Sequence, residues 1–89
     1  MSEDNIVYIG KKPPMTYVMA VMHNFNQAEA GVVLKARGRA ISTAVDVAEI
    51  TRNQFLTELH EPEVKISTEE LPNNEGGTRN VSNISIRLK

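Results

Sequence analysis

The feature that most restricts this chain is an apolar run, residues 31–34 (GVVL), followed by a basic hexapeptide, residues 35–40 (KARGRA). An amphipathic segment, residues 41–55, comes next. The apolar run is typical of a strand, and the amphipathic segment has the periodicity of a helix. Gly38 lets the chain turn between them without a steric penalty. The sequence therefore predicts a strand, a turn and a helix in direct succession.

Three cations lie at this predicted strand-to-helix junction. Side chains alternate along a strand, so Lys35 and Arg37 fall on the same face. Arg39 adds a third positive charge where the helix should begin. Cationic side chains and free backbone N–H groups come together at such a point, which suits the binding of phosphate.

A second basic junction precedes the first predicted helix. Residues 5–9 (NIVYI) are apolar and β-branched and predict a buried first strand that stops at Gly10. Lys11 and Lys12 follow, just before a helix expected over about residues 14–26. If the two strands are parallel neighbours, the two basic junctions lie side by side.

Apolar spacing predicts which face of each helix covers the core. The face of the first helix is predicted to consist of Met15, Val18, Met19, Met22 and Phe25. The face of the second is predicted to consist of Ile41, Ala44, Val45, Ala48 and Phe55. Val47 and Ile50 point elsewhere on the helical wheel, which indicates either a dimer interface or packing beneath the following loop.

The C-terminal part of the chain predicts a β-hairpin. Apolar and polar side chains alternate over residues 64–68 (VKIST) and again over residues 84–89 (ISIRLK). Between them, residues 72–78 (PNNEGGT) are rich in turn-forming types, so we expect the hairpin tip to stand clear of the body as a flexible arm. The predicted order is β-α-β-α-β-β, a two-layer α/β domain of the α+β type that takes up all 89 residues.

The charges are segregated along the chain, although the formal net charge is only −1. The cations between residues 10 and 45 are Lys11, Lys12, Lys35, Arg37 and Arg39, against a single acid, Glu29. The acids between residues 58 and 75 are Glu58, Glu61, Glu63, Glu69, Glu70 and Glu75, against a single cation, Lys65. A basic patch can therefore exist on a protein whose net charge argues against nucleic-acid binding.

Several classes of function lack the residues they need. There is no cysteine, His23 and His60 lack the spacing of a metal site, and the segment around Gly10 lacks the remaining residues of a P-loop. Asp46 and Glu49 have no accompanying nucleophile. We therefore expect no enzymatic activity, metal or cofactor. The polar N-terminus and the absence of an apolar run of about 18 residues predict an intracellular chain without a membrane segment.

Four stretches of the sequence closely resemble the archaeal Alba family of nucleic-acid-binding chromatin proteins. They are residues 9–13 (IGKKP), 35–42 (KARGRAIS), 44–46 (AVD) and 52–56 (RNQFL), and the match keeps the family's order and spacing over nearly the whole chain. The resemblance implies the Alba fold with an extended β-hairpin arm, a homodimer, and binding of double-stranded DNA and RNA with little sequence preference.

The resemblance also implies roles for individual residues. Lys11 and Lys12 match the family's lysine pair that faces the nucleic acid and is tuned by acetylation, so Lys11 is the candidate for modification. Arg37 and Arg39 match basic residues on the body of the dimer. Phe55 matches an aromatic position that mediates contact between dimers along DNA.

The predicted arm departs from the basic arms of typical relatives. It offers Arg79 but also Glu69, Glu70 and Glu75, and acids within a Debye length of about 10 Å of phosphate oppose binding. We therefore expect the body to bind and the arms to contribute less. The arm residues that would carry any sequence preference are Asn73, Asn74, Arg79 and Asn80.

The sequence thus favours a dimeric, non-enzymatic protein that coats or compacts an archaeal chromosome in the cytoplasm, mainly through phosphate contacts. Two alternatives remain open at this stage. One is an RNA-binding subunit of a ribonucleoprotein whose acidic half contacts basic protein, and the other is a more sequence-selective DNA-binding regulator. A preference for structured RNA over duplex DNA would separate the first alternative from the main hypothesis.

Overall fold

The computed structural model describes residues 5–25 and 31–89. The elements are β1 (Asn5–Tyr8), α1 (Pro14–Phe25), β2 (Val32–Arg37), α2 (Ala40–Ile50), β3 (Glu63–Pro72) and β4 (Thr78–Leu88), with a π-helical turn (Thr51–Phe55) directly after α2. This order confirms the predicted β-α-β-α-β-β arrangement. Residue 26, the expected end of the first helix, lies outside the described residues.

The strands form one mixed sheet in the order β1-β2-β4-β3. β1 and β2 are parallel neighbours, with Asn5 opposite Val32 and Tyr8 opposite Lys35. The pairing continues past β1, because the Ile9 N–H donates to the Lys35 carbonyl oxygen at 2.8 Å. β4 is antiparallel to both β2 and β3. The predicted side-by-side placement of the two basic junctions is therefore confirmed.

The core lies between the two helices and one face of the sheet. Its residues in the sheet are Val7, Val32, Leu34, Ala36, Ile84, Ile86 and Leu88, joined by Ile9 just after β1. Its helix residues are Tyr17, Val18, Val21, Ala44, Val47 and Ala48. No helix in the described ranges is long and apolar enough to cross a membrane.

The predicted core face of α1 was partly wrong. Met15 and Met19 are exposed, whereas Tyr17, Val18 and Val21 are buried. The apolar stripe is wider than one face, so spacing alone admitted more than one orientation, and contact with the sheet selects the side that carries Val18 and Val21.

The predicted core face of the second helix was also partly wrong, at Val45 and Phe55, which are both exposed. The π-helical turn explains Phe55: the Leu56 N–H donates to the Thr51 carbonyl oxygen at 2.7 Å, and the wider turn rotates later residues away from the core. Val47 is fully buried in the core, so the suggestion that it forms a dimer interface was wrong. Ile50 packs against the core but is only partly buried, so for this residue the suggestion stays a prediction.

The prediction of a buried first strand was partly wrong. β1 is an edge strand, and no helix of residues 5–25 and 31–89 covers the face of the sheet on which Ile6 and Tyr8 lie. Val7 points the other way, into the core. β1 therefore follows the pattern of a half-buried strand.

The β3–β4 hairpin extends well beyond the rest of the sheet. The last pair between β2 and β4 joins Arg37 to Asn83, and five further pairs between β3 and β4 follow, from Thr68–Ser82 to Pro72–Thr78. Five pairs correspond to roughly 17 Å of strand. The expected arm is therefore present and projects from the body.

We expect the variant Gly31→Ala to lose more stability than Gly38→Ala. Both glycines have positive φ, 92° and 60°, but a Cβ on Gly31 would overlap the Leu88 carbonyl oxygen, whereas a Cβ on Gly38 meets nothing closer than 3.9 Å. Conformation alone costs about 1–2 kcal/mol, and the overlap adds about 1–3 kcal/mol more. Denaturant unfolding at one protein concentration measures both, and equal losses would contradict the close packing of Gly31 against β4.

Candidate nucleic-acid interface

The two basic junctions meet at one end of the sheet because β1 and β2 are parallel neighbours that end there. Lys11 and Lys12 follow β1, and Lys35 lies near the end of β2. All three side chains are exposed. The structure thus brings together cations that are more than twenty residues apart in the sequence.

A buried tyrosine holds the loop that carries the lysine pair. The Tyr17 hydroxyl accepts hydrogen bonds from the backbone N–H groups of Gly10, at 2.9 Å, and Lys12, at 3.1 Å. Tyr17 belongs to the core cluster, so these bonds tie the loop to the body of the protein. Sequence analysis missed this residue: its only signal was a tyrosine in the first turns of a helix that follows a basic loop.

The second junction exposes the N-terminus of α2 beside a cation. Gly38 donates its N–H to the Ser82 carbonyl oxygen at 2.9 Å, which fixes the turn against β4. Arg39 has helical φ and ψ angles, and no side chain caps the helix or places an acid in its first turn. The positive end of the helix dipole and the Arg39 guanidinium therefore act in the same direction on an approaching anion.

The arm contributes to the same surface. Arg39 on the body and Arg79 and Asn80 on the arm line one shallow depression beside Gly38. Two cations 40 positions apart, one on the body and one on the arm, thereby border the same depression. This juxtaposition depends on the antiparallel pairing of β2 with β4.

One of the predicted phosphate contacts is partly neutralised within the chain. A guanidinium nitrogen of Arg37 lies 3.4 Å from a carboxylate oxygen of Glu69, which also accepts a hydrogen bond from Asn83 at 3.1 Å. Both charged side chains are about half exposed, so the ion pair contributes only about 0–1 kcal/mol. Arg37 therefore keeps its position but has an acidic neighbour.

The other predicted cations have no such neighbour. Within residues 5–25 and 31–89, no acidic side chain forms an ion pair with any of Lys11, Lys12, Lys35, Arg39 and Arg79. Acidic residues of the second half of the chain form ion pairs with other cations: Glu63 pairs with Arg87 and Lys89, and Glu69 pairs with Arg37. The cations at the end of the sheet therefore present a positive surface.

The arm residues occupy different environments. The Asn73 side-chain oxygen accepts hydrogen bonds from the N–H groups of Glu75 and Gly77, at 2.9 and 3.0 Å, so it stabilises the turn at the tip. Asn74 and Asn80 are exposed, as is Glu70. The arm thus presents amide groups together with uncompensated acid.

Phe55 lies at the end of the π-helical turn with 45% of its surface exposed. The prediction that Phe55 is an ordinary core residue was therefore wrong. Nearby, Glu49 is held by Arg52 at 2.8 Å, which gives this carboxylate a structural partner. In the part of the chain that the structure describes, no cluster of acidic or histidine side chains is arranged to hold a metal ion.

Comparisons with known proteins agree with this architecture. The sequence model of the Alba family matches residues 5–69. The chain is 51% identical, over all of its length and 93% of the relative's, to the DNA/RNA-binding protein Alba of Methanocella arvoryzae. It is 50% identical to the protein of the same name from Thermoplasma acidophilum, with 99% of this chain and 98% of the relative covered.

The fold comparison gives the same result. The solved structure of Alba from Thermoplasma volcanium superimposes with a TM-score of 0.86 and 47% identity, covering 96% of this chain and 99% of that one. With half of the residues identical over nearly the full length of several relatives, this chain belongs to the Alba family.

Proposed function

We propose that this protein binds double-stranded DNA and RNA as a homodimer, chiefly through phosphate contacts, and so coats or compacts an archaeal chromosome. The observation that carries the proposal is the positive surface at one end of the sheet. There Lys11, Lys12, Lys35 and Arg39 converge without acidic partners among the described residues. Relatives with half of their residues identical are named for binding DNA and RNA, which supports both ligands.

Phosphate contact is the chemistry that these residues can perform. Lysine and arginine side chains neutralise phosphates irrespective of the base sequence, so weak sequence preference follows. The depression bordered by Arg39 and Arg79 gives the duplex a path from the body to the arm. The protein has no enzymatic role in this proposal, and its location is the chromosome in the cytoplasm.

The homodimer is proposed because one face of β3 is apolar and uncovered. Val64 and Ile66 are 54% and 78% exposed on the side of the sheet that the helices cover elsewhere, and neither helix packs against β3 in the described chain. A second copy presents the same apolar strip, Val64 and Ile66, so a two-fold axis would bury both apolar strips at once.

Two further roles are proposed for individual residues. Phe55, exposed at the end of the π-helical turn, is proposed to contact a neighbouring dimer along DNA. Lys11 is proposed as a site of acetylation, which would remove one cation from the loop that Tyr17 holds in place.

A second candidate function is a subunit of a ribonucleoprotein. The exposed Glu70 on the arm opposes phosphate and favours a basic protein partner instead. In that case structured RNA would bind the body while the arm contacts protein. Sequence-selective binding would instead require contacts from Asn74, Arg79 or Asn80 to base edges.

We expect reversal of the lysine pair, Lys11→Glu together with Lys12→Glu, to abolish most binding to a random-sequence DNA duplex and to a structured RNA. The wild-type affinity should fall steeply with salt, since each neutralised phosphate contributes about −0.9 to the slope of log K against log salt. Titrations at several salt concentrations should show a smaller slope for the variant.

The matched control compares single reversals, Lys12→Glu and Lys89→Glu, which change the net charge equally. Lys89 lies at the opposite end of the sheet, near Glu63, so its reversal should change affinity little. Equal losses in the two variants would indicate only a general charge effect and contradict the proposed site. If wild-type protein binds structured RNA in preference to duplex DNA at equal salt, the ribonucleoprotein function is favoured.

We expect Ile66→Asp to produce a monomer, because it places a charge in the apolar strip proposed as the dimer interface. The control is Ser67→Asp, which introduces the same side chain one residue later, on the opposite face of β3. Light scattering coupled to size exclusion measures the mass of each variant. A dimeric Ile66→Asp variant, or a wild-type monomer, would refute this interface.

We expect Tyr17→Phe to weaken duplex binding about three- to tenfold while the protein remains folded. The substitution keeps the ring in the core but removes the acceptor for the Gly10 and Lys12 N–H groups, so the loop loses its fixed position. The salt slope should remain that of the wild type because all cations are retained. Unchanged affinity, with stability confirmed by thermal unfolding, would show that Tyr17 does not position the lysines.

A further inference from the structure

The sheet has a second face, opposite the helices, on which no described helix packs; Val33 is buried there, but Tyr8, Lys35 and Lys65 are exposed. Strand register aligns Tyr8, Lys35, Ser85 and Lys65 in one row across all four strands of this open face. The neighbouring row contains Arg37, Asn83 and Ser67. The phosphate site described above uses the end of this face, but it leaves Tyr8 and Lys65 unexplained.

Tyr8 is the unusual residue of the row, because 71% of its surface is exposed. Its side chain hydrogen-bonds to no residue in the described ranges, unlike Tyr17, which is buried and holds a loop. Its register partner Lys35 lies on the adjacent strand, about 5 Å away. An aromatic ring beside a cation, both open to solvent, has the composition of a stacking site for a nucleic-acid base.

We propose that the open face binds an unpaired segment of nucleic acid, with a base stacked on Tyr8 and the adjacent phosphates held by Lys35 and Lys65. The inference deepens the function proposed above and rests on it, since it assigns the same protein a second nucleic-acid ligand, the single strand. Tyr8 and Lys65 stand at opposite edges of the sheet, three strand spacings or about 14 Å apart, so the row can span a base and its flanking phosphates.

The chemistry of the remaining side chains fits this ligand. Ser85, Ser67 and Asn83 supply uncharged hydrogen-bonding groups between the cations, suited to base edges and sugars. Among the described residues that line this groove the one acid is Glu69, which already contacts Arg37 and Asn83. The groove holds about 900 Å³, within the range of sites that take a small ligand.

A duplex cannot use this site in the same way. Its bases are stacked on one another, so none can lie against Tyr8, whereas the bases of a single strand or an RNA loop are free to do so. The proposed dimer buries Val64 and Ile66 on the other face of β3, so it closes the groove only at Ile66 and leaves Tyr8, Lys35 and Lys65 outside the interface.

The test compares Tyr8→Leu, which removes the aromatic face, with Tyr8→Phe, which keeps it. Each is titrated with a 20-nucleotide oligothymidylate, with an abasic oligonucleotide of the same length and charge, and with a random-sequence duplex. We expect Tyr8→Leu to bind oligothymidylate about 5- to 100-fold more weakly for one lost stacked base, while Tyr8→Phe stays close to the wild type. The salt slope should not change, because no cation is lost.

The abasic strand and the duplex separate the possible failures. Wild-type protein should prefer oligothymidylate to the abasic strand, and Tyr8→Leu should lose that preference while binding the duplex as the wild type does. Equal binding of oligothymidylate by wild type and Tyr8→Leu overturns the stacking site but leaves the proposed duplex function intact. If the Lys11→Glu/Lys12→Glu variant loses only duplex binding, the stacking site stands. If wild-type protein binds none of the three ligands, both proposals are overturned.

A direct optical readout is available because the protein contains no tryptophan. Tyr8→Trp places a single indole on the open face, and stacking on a base should quench its fluorescence upon addition of oligothymidylate but not of the abasic strand. Fluorescence that is unaffected by oligothymidylate at saturating concentration would contradict stacking at this position.

Discussion

The parallel pairing of β1 with β2 determines where the functional groups of this protein lie. Each strand leads directly into a helix, and each carries its cations at that transition. Because parallel strands end at the same edge of a sheet, one hydrogen-bonded ladder, continued by the Ile9 N–H to the Lys35 carbonyl, brings both sets of cations together. The antiparallel pairing of β2 with β4 then attaches the arm beside the second junction, through the Gly38 contact with Ser82.

The same arrangement explains how a chain with a net charge of −1 presents a positive surface. The acids lie largely in the second half of the sequence, and Glu63 and Glu69 are occupied by Arg87, Lys89 and Arg37. The cations of the β1–α1 loop and the start of α2 remain without acidic partners among the described residues. Within about one Debye length of the surface, the attraction of a phosphate depends on the charges near it rather than on the net charge of the whole protein.

Local patterns in the sequence predicted the element order, the turn at Gly38 and the projecting hairpin, because each depends on a few adjacent residues. They did not predict which side of α1 faces the sheet, so Met15 and Met19 were wrongly placed in the core. Phe55 was misplaced because a π-helical turn alters the helical period. The role of Tyr17 was missed because its hydroxyl bonds to residues five and seven positions earlier, a contact that no periodicity encodes.

The contact between Arg37 and Glu69 bears on how measured binding relates to the number of phosphates held. At 3.4 Å and half exposed, Glu69 serves as a counterion built into the protein. In the proposed interface, a phosphate at Arg37 would displace this carboxylate from the guanidinium. The Arg37 guanidinium would thus exchange one anionic partner, Glu69, for another, the phosphate. The Glu69 carboxylate would stay nearby, and its repulsion of the phosphate would offset part of the attraction to Arg37. Affinity measured against salt therefore reports an electrostatic gain smaller than a count of cations on the surface would suggest.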